Sequence, residues 1–162
     1  MSREQHAKFI TRLRGAKAGE FVWGYWLSIT RGYDIEIPAT KEAPTAADHA
    51  EYVDKGDVFA TKAGRRLRFE VKTLSVTFTG PKDWPYPEVF VARVEQVDRA
   101  IDDVCAWISL SNDFGAAVRV EPTTRAKWYR TTRINKNTGN EETYYAVKLE
   151  DARFMEDLWR DV

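Results

Sequence analysis

Read as a string of apolar and polar positions, the chain opens with two helical stretches. Ser2 to Leu13 carries Phe9, Ile10 and Leu13 on one side, with Ser2 as N-cap and Glu4 and Gln5 in its first turn. From Ala16 to Thr30 the pattern strengthens: Phe21, Val22, Tyr25, Trp26 and Ile29 follow an i, i+1, i+4, i+5, i+8 stripe, and Gly32 is a natural stop. Tyr33 to Ile37 alternates as a strand and ends at Pro38, and Ala39 to Lys55 reads as a long loop holding Asp48, His49, Glu51 and Asp54. Val58 to Ala60 reads as a short strand and Thr61 to Gly64 as a turn. Leu67, Phe69 and Val71 then alternate with Arg68, Glu70 and Lys72 as a half-buried second strand, with room to continue from Thr73 to Phe78.

Gly80-Pro81-Lys82-Asp83-Trp84-Pro85-Tyr86-Pro87 breaks all regular structure. Phe90 to Val104 has Val94, Val97, Ile101 and Val104 at helical spacing, which predicts a helix. Cys105 to Leu110 and Ala116 to Val120 are apolar strand-like runs around a turn at residues 111–115. Trp128 to Ile134 and Thr143 to Leu149 flank a hairpin tip at Asn135 to Asn140. Phe154, Leu158 and Trp159 predict a closing helix over Glu150 to Asp161. This order predicts an α/β domain with a mixed sheet, the Val58–Lys72 hairpin near its centre and helices on both faces.

Composition narrows the class. The 162 residues allow one domain with a real core, and they include six tryptophans, seven tyrosines and eight phenylalanines. Twenty-five basic and twenty-five acidic residues balance, so no global field announces a nucleic-acid partner and local patches must supply one. The single cysteine, Cys105, excludes an intrachain disulfide framework and a cysteine-based zinc cluster. No apolar run is long enough for a membrane span, and Met1-Ser2-Arg3-Glu4 begins no signal-peptide core, so a cytoplasmic setting is expected. There is no Gly-rich phosphate loop and no Gly-x-Ser-x-Gly elbow, which leaves nucleotide hydrolysis and acyl transfer unsupported.

The chemistry gathers on the hairpin. Glu70 and Lys72, two apart on a strand, share a face that Leu67, Phe69 and Val71 do not occupy, and Asp57 at the start of the preceding strand can reach it. Nowhere else in the chain does an acid precede a lysine by two positions. Two carboxylates can hold Mg²⁺ through hard oxygen ligands while it keeps several waters, and a neighbouring lysine can orient one of those waters. The plainer reading of Glu70 and Lys72 is a solvent-face ion pair on an amphipathic strand.

Gly56-Asp57, a hairpin and Glu70-Val71-Lys72 together resemble the PD-(D/E)XK nuclease superfamily, in particular its Holliday-junction-resolvase and restriction-endonuclease-like branches. Upstream, Ala16-Lys17-Ala18-Gly19-Glu20-Phe21-Val22 and Arg31-Gly32-Tyr33-Asp34-Ile35 are similar to the glutamate-bearing helix and the helix-to-strand turn of those enzymes. The likeness covers roughly Gly15 to Asp103; Gly56 stands where the name-giving proline would, and a long insert separates Pro38 from Asp57. It implies a restriction-endonuclease-like mixed sheet flanked by helices, here with an additional C-terminal β-hairpin and helix. It further implies Mg²⁺, with Mn²⁺ able to substitute, held by Asp57, Glu70, Glu20 and the backbone carbonyl of Val71. Lys72 would stand beside the attacking water, and Gln96 would be a polar residue facing the site from the helix after the lysine strand. For Glu20 the alternative is a first-turn glutamate favoured by the helix dipole.

Basic residues Arg65, Arg66, Arg68, Lys82, Lys127, Arg130 and Arg133 are candidates for phosphate contact, and Trp84 and Tyr86 for stacking on a base. The rings could equally cover the edge of the core. The leading expectation is therefore a Mg²⁺-dependent DNA endonuclease, for which a homodimer would suit two-strand cleavage. A nuclease-fold nucleic-acid-binding module, or a protein-interaction domain, is the alternative. Duplex, junction, flap and single strand all stay open as substrates.

Overall fold

The computed structural model describes residues 3–39, 44–45 and 57–162. The loop residues Asp48, His49, Glu51 and Asp54, together with Gly56 and the side chains of His6, Arg12 and Arg14, lie outside the described residues.

The two helices expected at the start are one, α1 (Arg3–Arg31). No proline interrupts it, and Gly15 is exposed with open space around its Cβ position, so nothing forces a break. Its end is where the sequence put it: Gly32 adopts φ +71°, its N–H donates to Ser28 O, and the chain turns away. The buried side of α1, however, keeps only Trp26 of the expected stripe. Trp23, Trp26 and Leu27 are buried, whereas Phe21, Tyr25 and Ile29 are 59%, 60% and 40% exposed. Gly19 and Gly24 explain the rotation. A Cβ on Gly24 would lie 2.8 Å from Ile35 Cγ2, and one on Gly19 would lie 2.1 Å from Thr73 Oγ1. The helix thus meets the sheet along its glycine side, where backbone can approach most closely.

That sheet has six strands in the order β1-β2-β3-β5-β6-β9, comprising β1 (Asp34–Glu36), β2 (Asp57–Lys62), β3 (Arg65–Thr73), β5 (Ala106–Leu110), β6 (Ala117–Val120) and β9 (Arg153–Met155). β3 and β5 run parallel and every other pair is antiparallel, so the sheet is mixed. The β2–β3 turn is tight, with Ala63 and Gly64 both at positive φ. β3 stops at Thr73 rather than continuing to Phe78; beyond it Leu74 N–H still donates to Leu110 O, and Phe78 N–H donates to Ser111 Oγ.

The segment Phe90–Val104, expected to be helical throughout, divides. Its first part is β4 (Val89–Arg93), because the β-branched Val89 and Val91 at alternate positions pack inward while the strand pairs with β8 (Glu141–Val147). The remainder is a short helix, α2 (Val94–Ala100), with Val97 and Ala100 buried. β4 joins β8 and β7 (Tyr129–Ile134) in a second, antiparallel sheet of order β4-β8-β7. The expected C-terminal hairpin is therefore present, but the closing helix is not. Residues 149–151 make one 3₁₀ turn, and β9 then pairs with the outer edge of β6, which would otherwise expose its backbone groups. Leu158 returns to α1, where its carbonyl accepts the Trp26 indole N–H at 2.7 Å.

The six-stranded sheet separates two cores. On one face Val58, Ala60, Phe69, Val71, Ile108 and Leu110 pack with Trp23 and Leu27 of α1. On the other, Trp107, Val118 and Val120 pack with Val89, Val91 and Val147 of the small sheet and Val97 of α2. No helix among the described residues is long and apolar enough to cross a membrane. Trp23 is fully buried, stacked on Trp26 at 5.0 Å and edge-on to Phe69 at 5.8 Å. Trp23→Ala should therefore cost about 3–5 kcal/mol in urea unfolding, while Phe21→Ala on the exposed side should stay within about 0.5 kcal/mol.

Candidate metal and phosphate site

β2 and β3 pair with Asp57 directly opposite Glu70 and Val58 opposite Phe69. Side chains alternate across a strand, so this register sends Val58, Phe69 and Val71 to the α1 core and Asp57, Arg68, Glu70 and Lys72 to the other face. Like charges placed opposite one another repel. Here a guanidinium lies between them: Arg68 Nε is 2.9 Å from Asp57 Oδ1, and Arg68 Nη2 is 3.2 Å from Glu70 Oε1. The Asp57 and Glu70 side chains are 10% and 27% exposed, so the cluster sits under the edge of the second core but stays open to solvent.

Lys72 continues the same row. Its Nζ donates to the carbonyls of Phe90 at 3.3 Å and Val91 at 3.2 Å. These belong to the stretch of β4 where its register with β8 shifts, between Phe90 and Arg93. An irregularity of this kind leaves backbone groups without ladder partners, and the ammonium supplies donors there. Burial lowers the Lys72 pKa from 10.5 to about 8, against the opposing pull of Glu70. Across the parallel β3–β5 pair, Trp107 stands opposite Glu70, and Ser109, nearly fully buried, stands opposite Lys72. Sequence reasoning missed Ser109 and the two β4 carbonyls. A lone serine inside the apolar run Ala106–Leu110 was the only available hint.

Glu20 is elsewhere. It is fully buried on the α1 side with Trp23, its carboxylate 2.8 Å from Lys17 Nζ, and Lys17 also donates to Pro38 O. Helical spacing places it on the face shared by Trp23 and Leu27, across the sheet from Asp57 and Glu70. Accordingly, no group of three or more His, Cys, Asp or Glu side chains able to hold a metal occurs among the described residues. Val71 pairs with Ile108, and its side chain lies in the α1 core. Gln96 is on the exposed side of α2.

The basic candidates scatter. Arg66 pairs with Glu36 at 3.0 Å and lies over the Phe59 ring; Arg65 is exposed beside the β2–β3 turn. Lys82 is exposed in the 3₁₀ turn at Pro81–Asp83. Lys127 pairs with Asp151, Arg130 lies over Tyr145, and Arg133 pairs with Glu88 while its guanidinium stands 4.5 Å from the Phe90 ring centre. Trp84 packs edge-on against Phe78 and Phe154 and donates its indole N–H to Glu88 O; Tyr86 leans on Trp84 at 5.5 Å. Trp84 thus covers the rim of the second core, the alternative that its sequence setting left open.

The Lys72 shift has a definite sign. Below about pH 8 both folded and unfolded chains hold the proton; from pH 8 to 10.5 the unfolded chain holds more, so stability rises with pH across that window. In a metal-free buffer, the unfolding free energy of the wild type relative to Lys72→Met should climb between about pH 8 and pH 10 and be flat between about pH 6 and pH 7.5. Parallel pH profiles for the two proteins would show that the ammonium is not desolvated.

No protein-family model, curated protein or solved structure matches this chain, so the reading of the site rests on its geometry and chemistry.

Proposed function

We propose that this protein is a Mg²⁺-dependent DNA endonuclease of restriction-endonuclease-like design, acting in the cytoplasm. The observation that carries the reading is the convergence of Asp57 and Glu70, opposite one another on paired strands, on a single cation, the Arg68 guanidinium, with the Lys72 ammonium next along the same face. Two carboxylates that share one cation offer hard oxygen ligands of the kind a divalent ion retaining most of its waters takes, and such ions are held by one or two carboxylates. Asp57 and Glu70 would hold it, and when bound it would acidify a water and neutralise charge on a scissile phosphate. Glu20 plays no part in this reading, since the sheet lies between it and the pair. The finer likeness to nucleases is supported by the order of elements: a helix, a three-stranded antiparallel meander, then, after β4 of the second sheet, a short helix and a strand parallel to β3.

The chain's own groups would do the following. Lys72 has three N–H donors, two of them directed to Phe90 and Val91 carbonyls, which fix the ammonium beside Glu70 and leave a third for a water or a phosphate oxygen. Arg68, once its carboxylates engage a metal, would be free to meet a phosphate as a fork of donors. Arg66 and Arg133, 55% and 44% exposed, would extend the contact along the backbone of the substrate. A pair of copies related by a two-fold axis would suit cleavage of both strands.

The direct test is a cleavage assay on closed-circular plasmid, single-stranded and branched DNA in Mg²⁺ and in Mn²⁺. Nicking or linearisation of the plasmid is the expected result; absence of cleavage on all three, together with salt-sensitive DNA binding, would favour the non-cleaving module. Lys72→Ala should lower the cleavage rate by roughly a hundred-fold or more while DNA affinity stays within a few-fold, and Lys72→Arg should restore little.

Arg68 gives a second test that needs no turnover. Because its guanidinium occupies both carboxylates, Arg68→Ala should tighten Mn²⁺ binding by about tenfold in calorimetry, while Asp57→Asn and Glu70→Gln should each weaken it. Weaker metal binding in Arg68→Ala would mean that Arg68 shapes the pair rather than competing for it.

A further inference from the structure

We propose a second binding site, on the opposite face of the six-stranded sheet, for a small organic acid built on a single planar aromatic ring. Its origin is geometric. Six strands spaced about 4.8 Å apart make a sheet far wider than one helix of about 10 Å diameter. α1 covers the side holding β1, β2 and β3, so a gap opens where the sheet continues to β6 and β9. A cavity of about 190 Å³ lies there, walled by Trp26, Leu27, Tyr33, Leu67, Phe69 and Met155. An apolar cavity of roughly 150 Å³ is enough for benzene, so one six-membered ring fits between these side chains.

The mouth is cationic. Arg31, Arg119 and Arg153 also line the cavity. Arg119 and Arg153 are register partners on β6 and β9, so two guanidiniums leave adjacent strands on the same face, an arrangement that repels unless an anion lies between. Among the described residues only Arg119 has a carboxylate: its Nε is 2.7 Å from Glu121 Oε1, yet at an angle that makes no hydrogen bond, and that N–H is buried. Arg31 and Arg153 have no ion-pair partner among the described residues; Arg31 lies over the Trp26 ring and Arg119 near the Phe69 ring, both at 5.8 Å. Three cations and one carboxylate at the mouth of an aromatic slot select an anion, and guanidinium forks match a carboxylate or phosphate. The ring would lie against Trp26 and Phe69, whose orientations are held by the Trp26–Leu158 hydrogen bond and the Trp23 stack. The acid group would bridge Arg119 and Arg153.

This site is independent of the nuclease reading, because Phe69 and Glu70 point to opposite faces of β3. The test is calorimetry on the full chain with benzoate, phenyl phosphate, benzamide and inorganic phosphate. Benzoate or phenyl phosphate should bind at least about tenfold more tightly than both benzamide, which lacks the charge, and inorganic phosphate, which lacks the ring. Whichever acid binds better identifies the anion. Arg153→Ala, at an exposed position on an outer strand, should weaken that binding by about tenfold, and Leu67→Trp, which fills the cavity, should abolish it; Asp57→Asn should leave it unchanged. Binding of the ring acids no tighter than inorganic phosphate, or binding indifferent to Arg153→Ala in a protein whose circular dichroism is unaltered, would overturn the proposal.

Discussion

Everything in this molecule depends on the register of one hairpin. With Asp57 opposite Glu70, Val58, Ala60, Phe69 and Val71 reach the α1 core, while Arg68, Glu70 and Lys72 reach the other side along with Phe59. A slip of one residue would bury Glu70 and Lys72 under Trp23 and present Phe69 to the polar cluster. The two-residue turn at Ala63 and Gly64, both at positive φ, fixes that register locally, and Val58, Phe69 and Val71 fix it against the helix. The same choice that builds the core therefore also builds the site.

Placing two carboxylates opposite one another is unfavourable by itself, and the chain offsets this with Arg68 from the same strand face rather than by separating them. The solution leaves the pair on a single guanidinium at a solvent-reaching edge. It contrasts with Glu20, whose buried carboxylate lies by Lys17 on the far side of the sheet. A buried acid in a core helix and an acid on a solvent-reaching strand face look alike in composition, but only the second is placed for exchange with solvent ions.

The second sheet gives the site its other wall. β4 lies over the face carrying Trp107 and Val118, and the shift in its pairing with β8 turns the Phe90 and Val91 carbonyls toward Lys72. The ammonium is thus held by backbone from a strand distant in sequence, which both desolvates it and orients it. On the opposite face no comparable layer among the described residues covers β6 and β9 beside α1, and the arginine-rimmed cavity lies there.

Period-two alternation from Leu67 to Lys72 was enough to identify the hairpin, the shared face of Glu70 and Lys72, and the approach of Asp57, because strand periodicity is a local property of the backbone. β5 and β6 were legible as short apolar runs on either side of a turn, and β7 and β8 as segments flanking a hairpin tip. Three features were not. The buried side of α1 is set by where Gly19 and Gly24 admit the sheet, which hydrophobic spacing alone does not encode. Phe154, Leu158 and Trp159 have helical spacing, but β6 has an open edge, and pairing with it turns residues 153–155 into a strand. Finally, the resemblance implied Glu20 near the pair, and nothing in the sequence pointed to Ser109, Phe90 and Val91. Which face of a sheet a helix covers, and which distant carbonyl meets an ammonium, is decided only when the layers assemble.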